Sequence, residues 1–146
     1  MDVQSEITRL KLINKSISVL QDEMKSIHGI VFGNNGFPFI YNMIRIRTSF
    51  TICFIRIDLL LYNNTDKSIL NQILHISSDI RLLEEYILLR NPRRNALEDI
   101  VYLRDKNYGT FHKKVQDTFD RFWLLIKDLS TTHREMNSSS LLSTIS

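Results

Sequence analysis

The first twenty-seven residues carry apolar side chains on a seven-residue repeat: Val3, Leu10, Ile17 and Met24 at one position, and Ile13, Leu20 and Ile27 three residues after the last three. Steps alternating between three and four residues place side chains on one stripe of an α-helix, at the a and d positions of a coiled-coil seam. Glu6 interrupts the d series once, with Ile7 beside it to compensate. Arg9, Lys11, Lys15, Gln21, Asp22, Glu23 and Lys25 fall between the stripes as a solvated face. The pattern predicts a helix over 3–28, closed by a left-handed cap at Gly29.

The stretch 29–39 holds three of the four glycines and one of the two prolines, so it reads as a loop, although it is rich in apolar residues: Val31, Phe32, Phe37 and Phe39. Two readings stay open. Those side chains tuck the connection onto the helices with a turn at Asn34-Asn35-Gly36, or they form an exposed aromatic docking loop. No G-x-x-x-x-G-K-[ST] pattern is present, so the glycines do not make a phosphate cradle.

Residues 40–62 satisfy helical spacing through Ile40, Met43, Ile46, Phe50, Phe54, Ile57 and Leu61, while Ile44-Arg45-Ile46-Arg47 and Thr51 to Ile55 also alternate as a strand would. Length and the lack of a partner strand favour a helix. Being apolar on most sides, it is expected to be the central, most buried element. Asn63-Asn64-Thr65-Asp66 makes a turn and an N-cap for a helix running to about Arg90, whose seam is Ile69, Ile73, Ile76, Ile80, Leu83 and Ile87. Asn91-Pro92 ends it. Asn95 and Glu98 resemble a capping box for a short helix to about Lys106, stopped at Asn107-Tyr108-Gly109. Thr110 then caps a last helix with the face Phe111, Val115, Phe119, Phe122, Ile126 and Leu129.

The expected fold is therefore all-α: an up-down helical bundle of about five helices, four long and one short, with coiled-coil-like heptad seams. One helical domain spans 1–129, from which the heptad helix 3–28 can protrude, and 130–146 forms a flexible Ser/Thr-rich tail.

Composition narrows the class. At 43% hydrophobic and 24% charged, the chain of 146 residues can bury a core. Nineteen isoleucines against a single alanine, Ala96, resemble the bias of an AT-rich genome, and they make the helices depend on packing more than on propensity. Cys53 is the lone cysteine, so no intramolecular disulfide forms and a reducing cytosol or nucleus is the expected home. The acidic, polar start Met1 to Glu6 is unlike a signal peptide. The apolar run 50–62 is interrupted by Arg56 and Asp58 and falls short of a membrane span. The net charge of +3 is spread over both halves, with no basic tail.

Chemistry-bearing patterns are absent. His28, His75, His112 and His133 sit in four segments without metal-ligand spacing, and neither they nor Cys53 form a metal motif. Adjacent acids such as Glu84-Glu85 and Glu98-Asp99 diverge on a helix, whereas acid–base work needs two carboxylates facing one site. No catalytic residues, metal, cofactor or small-molecule substrate is inferred. Arg45, Arg47 and Arg56 lie in an apolar segment, where they must reach solvent or meet acidic groups, and Trp123, one place off its stripe, is a candidate exposed anchor.

The leading expectation is a non-catalytic α-helical protein–protein interaction subunit or adaptor of an intracellular assembly, a homo- or hetero-oligomer joined through heptad-patterned helices. Its candidate partner interface is Leu10, Ile13, Ile17, Leu20, Met24, Phe32 and Phe37, the helical part of which could equally be a wall of the chain's own core. One alternative is a small basic nucleic-acid-binding protein using Arg90, Arg93 and Arg94, a cluster that also suits a helix C-terminal dipole. Another is a viral helical modulator that binds a helix of a host protein.

Overall fold

The computed structural model describes residues 3–32, 39–89 and 108–145, and these are all helical apart from the turn at 63–66. Helix α1 spans Val3–Phe32 and α2 spans Phe39–Tyr62. Helix α3, Lys67–Glu84, continues into a wider π-helical turn, Glu85–Leu89. Helix α4 spans Tyr108–Ile145. The ambiguous segment 40–62 is helix, as its length argues. The short helix expected at 95–106 lies outside the described residues.

Each helix packs against two neighbours, in the cyclic order α1, α2, α3, α4 and back to α1. Side-chain contacts fix the directions. Arg45, early in α2, reaches Ser26 Oγ, late in α1, at 3.4 Å. At the other end Arg9 donates to the Asn63 carbonyl at 2.8 Å. Gln72 meets Thr132 and Asp79 meets Arg121, so α3 and α4 are antiparallel. His28 meets Gln116, and α1 and α4 are antiparallel too.

The core they enclose follows the predicted stripes of α1, α3 and α4, whereas in α2 Cys53 and Leu60 are buried where Phe54 and Leu61, only half-buried, were expected. Ile13, Ile17, Leu20, Met24 and Ile27 of α1, all six seam residues of α3, and Val115, Phe119, Phe122, Ile126 and Leu129 of α4 are buried together. Within the π turn the adjacent residues Ile87 and Leu88 are both buried.

Four expectations need correction. Gly29 does not end α1, which runs on to Phe32. A Cβ at Gly29 would meet nothing within 4 Å, while Ile30, Val31 and Phe32 pack against the core, which offsets the helix penalty of one glycine. Gly29→Ala is therefore expected to raise stability by about 0.5–1 kcal/mol in urea unfolding. Residues 108–110 do not separate two elements, because α4 already begins at Tyr108. Nor does the last helix stop near Leu129, since its backbone is helical to Ile145. Hydroxyls that compete with helix elsewhere are here satisfied by the helix itself: Thr118 bonds the Lys114 carbonyl and Thr132 the Asp128 carbonyl. Finally, among the described helices α2 is one of four walls and not a central rod, and its outer side is exposed.

The turn between α2 and α3 is built as expected. Asn63 and Asn64 side chains bond back to the Leu59 and Leu60 carbonyls, closing the end of α2. Asp66 is extended and accepts from the Ser68 and Ile69 amides at 2.9 and 3.1 Å. Asp66→Ala should cost about 1 kcal/mol, read as a lower midpoint in urea, whereas Asp66→Ser should cost a few tenths.

Candidate functional site

Leu10, Ile13, Ile17, Leu20 and Met24 are each at most 5% exposed, covered by the chain's own helices. Of the two readings left open for this stripe, the structure makes it a wall of the core, which leaves it no surface to offer a partner. Phe32 is half-buried, its ring 4.7 Å from His28 and 6.0 Å from Phe119. Phe37, Arg90, Arg93 and Arg94 lie outside the described residues. Trp123 is half-buried and leans edge-on against Phe122 at 5.0 Å, so it is packed in part and not a free anchor.

The interior holds polar groups as well. Asp79 of α3 is buried and chelated by Arg121 of α4, whose Nε lies 2.8 and 2.9 Å from the two carboxylate oxygens. This hydrogen bond, opposed in part by desolvation, keeps the guanidinium above its ordinary pKa. The pair joins two helices and leaves the carboxylate no free edge. Cys53 is fully buried, and desolvation, helped by the negative charge of Glu23, pushes its thiol up to about 12. A thiol with so little thiolate is no nucleophile at neutral pH. Among the described residues no three His, Cys, Asp or Glu side chains are grouped to hold a metal ion. No described helix is long and apolar enough to cross a membrane.

One end of the helix array holds a polar layer. Glu6, the residue that interrupted the α1 heptad, is buried and paired with Arg9 at 2.6 Å, and Arg9 also caps the Asn63 carbonyl. His133 of α4 is buried in the same region, and its Nε2 has no hydrogen-bond partner. Burial, and secondarily the positive charge of Arg9, hold its pKa below the ordinary 6.5. The unfolded chain therefore binds the proton more readily, so this group's contribution to stability is complete above pH 6.5 and is lost as pH drops from there through the folded value. Urea midpoints taken from pH 7.5 to 5 should show this decline, and His133→Phe should flatten it.

The outer face of α2 is different in kind. Ile44 is 58% exposed, Ile55 53% and Tyr62 87%. They belong to a single row, Ile44, Thr48, Thr51, Ile55, Asp58 and Tyr62, with steps of four and three residues, and every member is exposed. Among the other described residues, large exposed apolar side chains do not line up: α3 has Leu74, α4 has Leu124, and Val3 and Leu12 fall on different sides of α1. Isolated cases of that kind are ordinary on any protein surface. Ile52 and Leu59, half-buried, widen the row on the flank that faces α1, one and two heptads after Arg45. Leu12, two heptads before Ser26, lies on the facing flank of α1. Arg47 and Asp58 stand along the opposite edge of the row, exposed and without an ion-pair partner among the described residues.

Sequence reading missed this row because α2 looked apolar on most sides and was assigned to the centre. A usable signal was present, since in an array of four walls a helix buries one side only, and the steps 44, 48, 51, 55, 58 and 62 are as regular as those of the core seams. Compared with protein-family models, with curated proteins and with solved structures, the chain finds no match.

Proposed function

We propose that this chain is a non-catalytic α-helical interaction subunit or adaptor of an intracellular assembly, and that the exposed row on α2 is its contact surface. The observation that carries this reading is that the four helices already share a core, yet α2 keeps Ile44, Ile55 and Tyr62 in one line on its outside. Aligned apolar side chains that the fold does not need are what a partner helix takes as anchors, at the spacing i, i+3, i+4 and i+7. Coiled-coil-like association thus moves from the α1 seam to α2. Its lone, buried cysteine suits a reducing compartment.

Photocrosslinking in the expressing cell tests this. With Ile55 replaced by a photoreactive benzoyl-phenylalanine, protein adducts are expected, while the same group at Lys127, exposed on α4, should give few. Equal yields at the two positions, or no adducts at either, would refute the role of the α2 face.

A further inference from the structure

Resting on that reading, we propose that the partner on the α2 face is a second copy of this chain, docked antiparallel so that the two α2 helices pair about a two-fold axis near residue 53. The row is self-complementary in that arrangement, whereas in-register parallel pairing sets Asp58 on Asp58. Antiparallel pairing sets Ile44 against the second copy's Tyr62, Thr48 against its Asp58, and Thr51 against its Ile55, and the symmetry repeats each pair. Ile44 with Tyr62 closes the two ends, Thr51, whose hydroxyl is held by the Arg47 carbonyl, offers its methyl to Ile55 near the middle, and the pair between them matches a hydroxyl donor with a carboxylate acceptor.

Charge chooses the direction. Arg47 and Asp58 are eleven residues apart, about three helical turns, and so lie on the same edge of the row. Antiparallel docking brings Arg47 of each copy beside Asp58 of the other, supplying both with the ion-pair partner they lack within the described chain. Parallel docking would turn the Arg47 edge of each copy toward the other edge of its mate, away from Asp58, and would set the two Asp58 side chains, which belong to the row, against each other, where like charges are costly. The isologous, two-fold arrangement is also the commonest way for a chain to associate with itself. From Ile44 to Tyr62 the row spans about 27 Å, so with its flanks it makes a contact at the small end of specific interfaces, and the dimer dissociates on dilution.

The test uses the purified full chain. Molar mass by sedimentation velocity is expected to rise from one chain toward two over roughly 10 µM to 1 mM, the range for a small interface. Arg47→Asp and Asp58→Arg should each move that transition at least ~10-fold higher in concentration, because each turns two opposite-charge contacts into two like-charge ones, and the double exchange should restore it to within ~3-fold. Both sites are exposed, so circular dichroism melts should stay unchanged. Register is read by cysteines: under mild oxidation a mixture of Thr48→Cys and Asp58→Cys chains should form a disulfide that neither forms alone, with buried Cys53 silent. A chain that stays monomeric, or a dimer indifferent to the charge exchanges and to the mixed cysteines, overturns the proposal. Monomeric chain together with cellular adducts at position 55 to other proteins would overturn self-pairing and spare the interaction reading, whereas a monomer without adducts would defeat both.

Discussion

Replacing Phe119 by alanine is expected to lower stability by about 3–5 kcal/mol, the range for deleting a buried aromatic ring. Phe119 is fully buried on α4, and its ring meets His28 edge-on at 5.0 Å and Phe32 at 6.0 Å, both on α1. The deletion therefore removes apolar burial and two ring contacts, each of which contributes about 0.5–1.5 kcal/mol beyond area. It also opens a void between helices that the backbone closes only in part. Against a total of about 5–15 kcal/mol for a domain, such a loss takes a third or more of the stability. Urea unfolding followed by circular dichroism measures it, with Phe119→Leu as the volume-sparing control, expected to lose less than half as much. A cost below about 1 kcal/mol for the alanine variant would mean that the ring does not hold α1 to α4.

Hydrophobic spacing made most of the core legible. The α3 seam from Ile69 to Ile87 and the α1 stripe from Leu10 to Ile27 were predicted residue by residue and are buried residue by residue, because a row repeated over four or five turns leaves few ways to pack. What spacing could not supply was which of two rows on one helix the fold would use. Helix α2 carries an inner row through Met43, Ile46, Phe50, Cys53, Ile57 and Leu60 and an outer row through Ile44, Ile55 and Tyr62. Both look alike in one dimension, and only neighbours on two sides decide between them. Boundaries failed for another reason: Gly29 and the Ser/Thr run after Leu129 are weak local preferences, of the order of 1 kcal/mol, that helical continuity overrides.

Glu6 shows the same limit from the polar side. As a charged residue at a seam position it read as a flaw in the heptad, yet it is buried there with Arg9, which in turn closes the end of α2 at Asn63. The polar layer that includes His133 was invisible in sequence because its members come from α1, the α2–α3 turn and α4, more than fifty residues apart. Its consequence is structural: it ties α1 to the α2–α3 turn at the end of the array where α1 begins, and the buried His133 of α4 beside it makes that end sensitive to acid.

The second large effect is expected at Arg121. Truncating it to alanine should cost about 2–3 kcal/mol, toward the upper part of the range for a hydrogen bond to a charged group, because it strands a carboxylate and does not merely lose an ion pair. Asp79 is 4% exposed, so without the guanidinium its charge stays in the interface between α3 and α4 with nothing to solvate it. Arg121 is different, with 53% of its side chain exposed, so Asp79→Ala releases the cation to water and should cost less than Arg121→Ala. The double variant should be no worse than Arg121→Ala alone, since removing the stranded charge removes the penalty. A thermodynamic cycle over the four chains in urea isolates this coupling, expected at about 1–2 kcal/mol. Equal and additive losses for the two single variants would show that the pair is a surface ornament, whereas the expected asymmetry would identify it as the polar contact that locks α3 against α4.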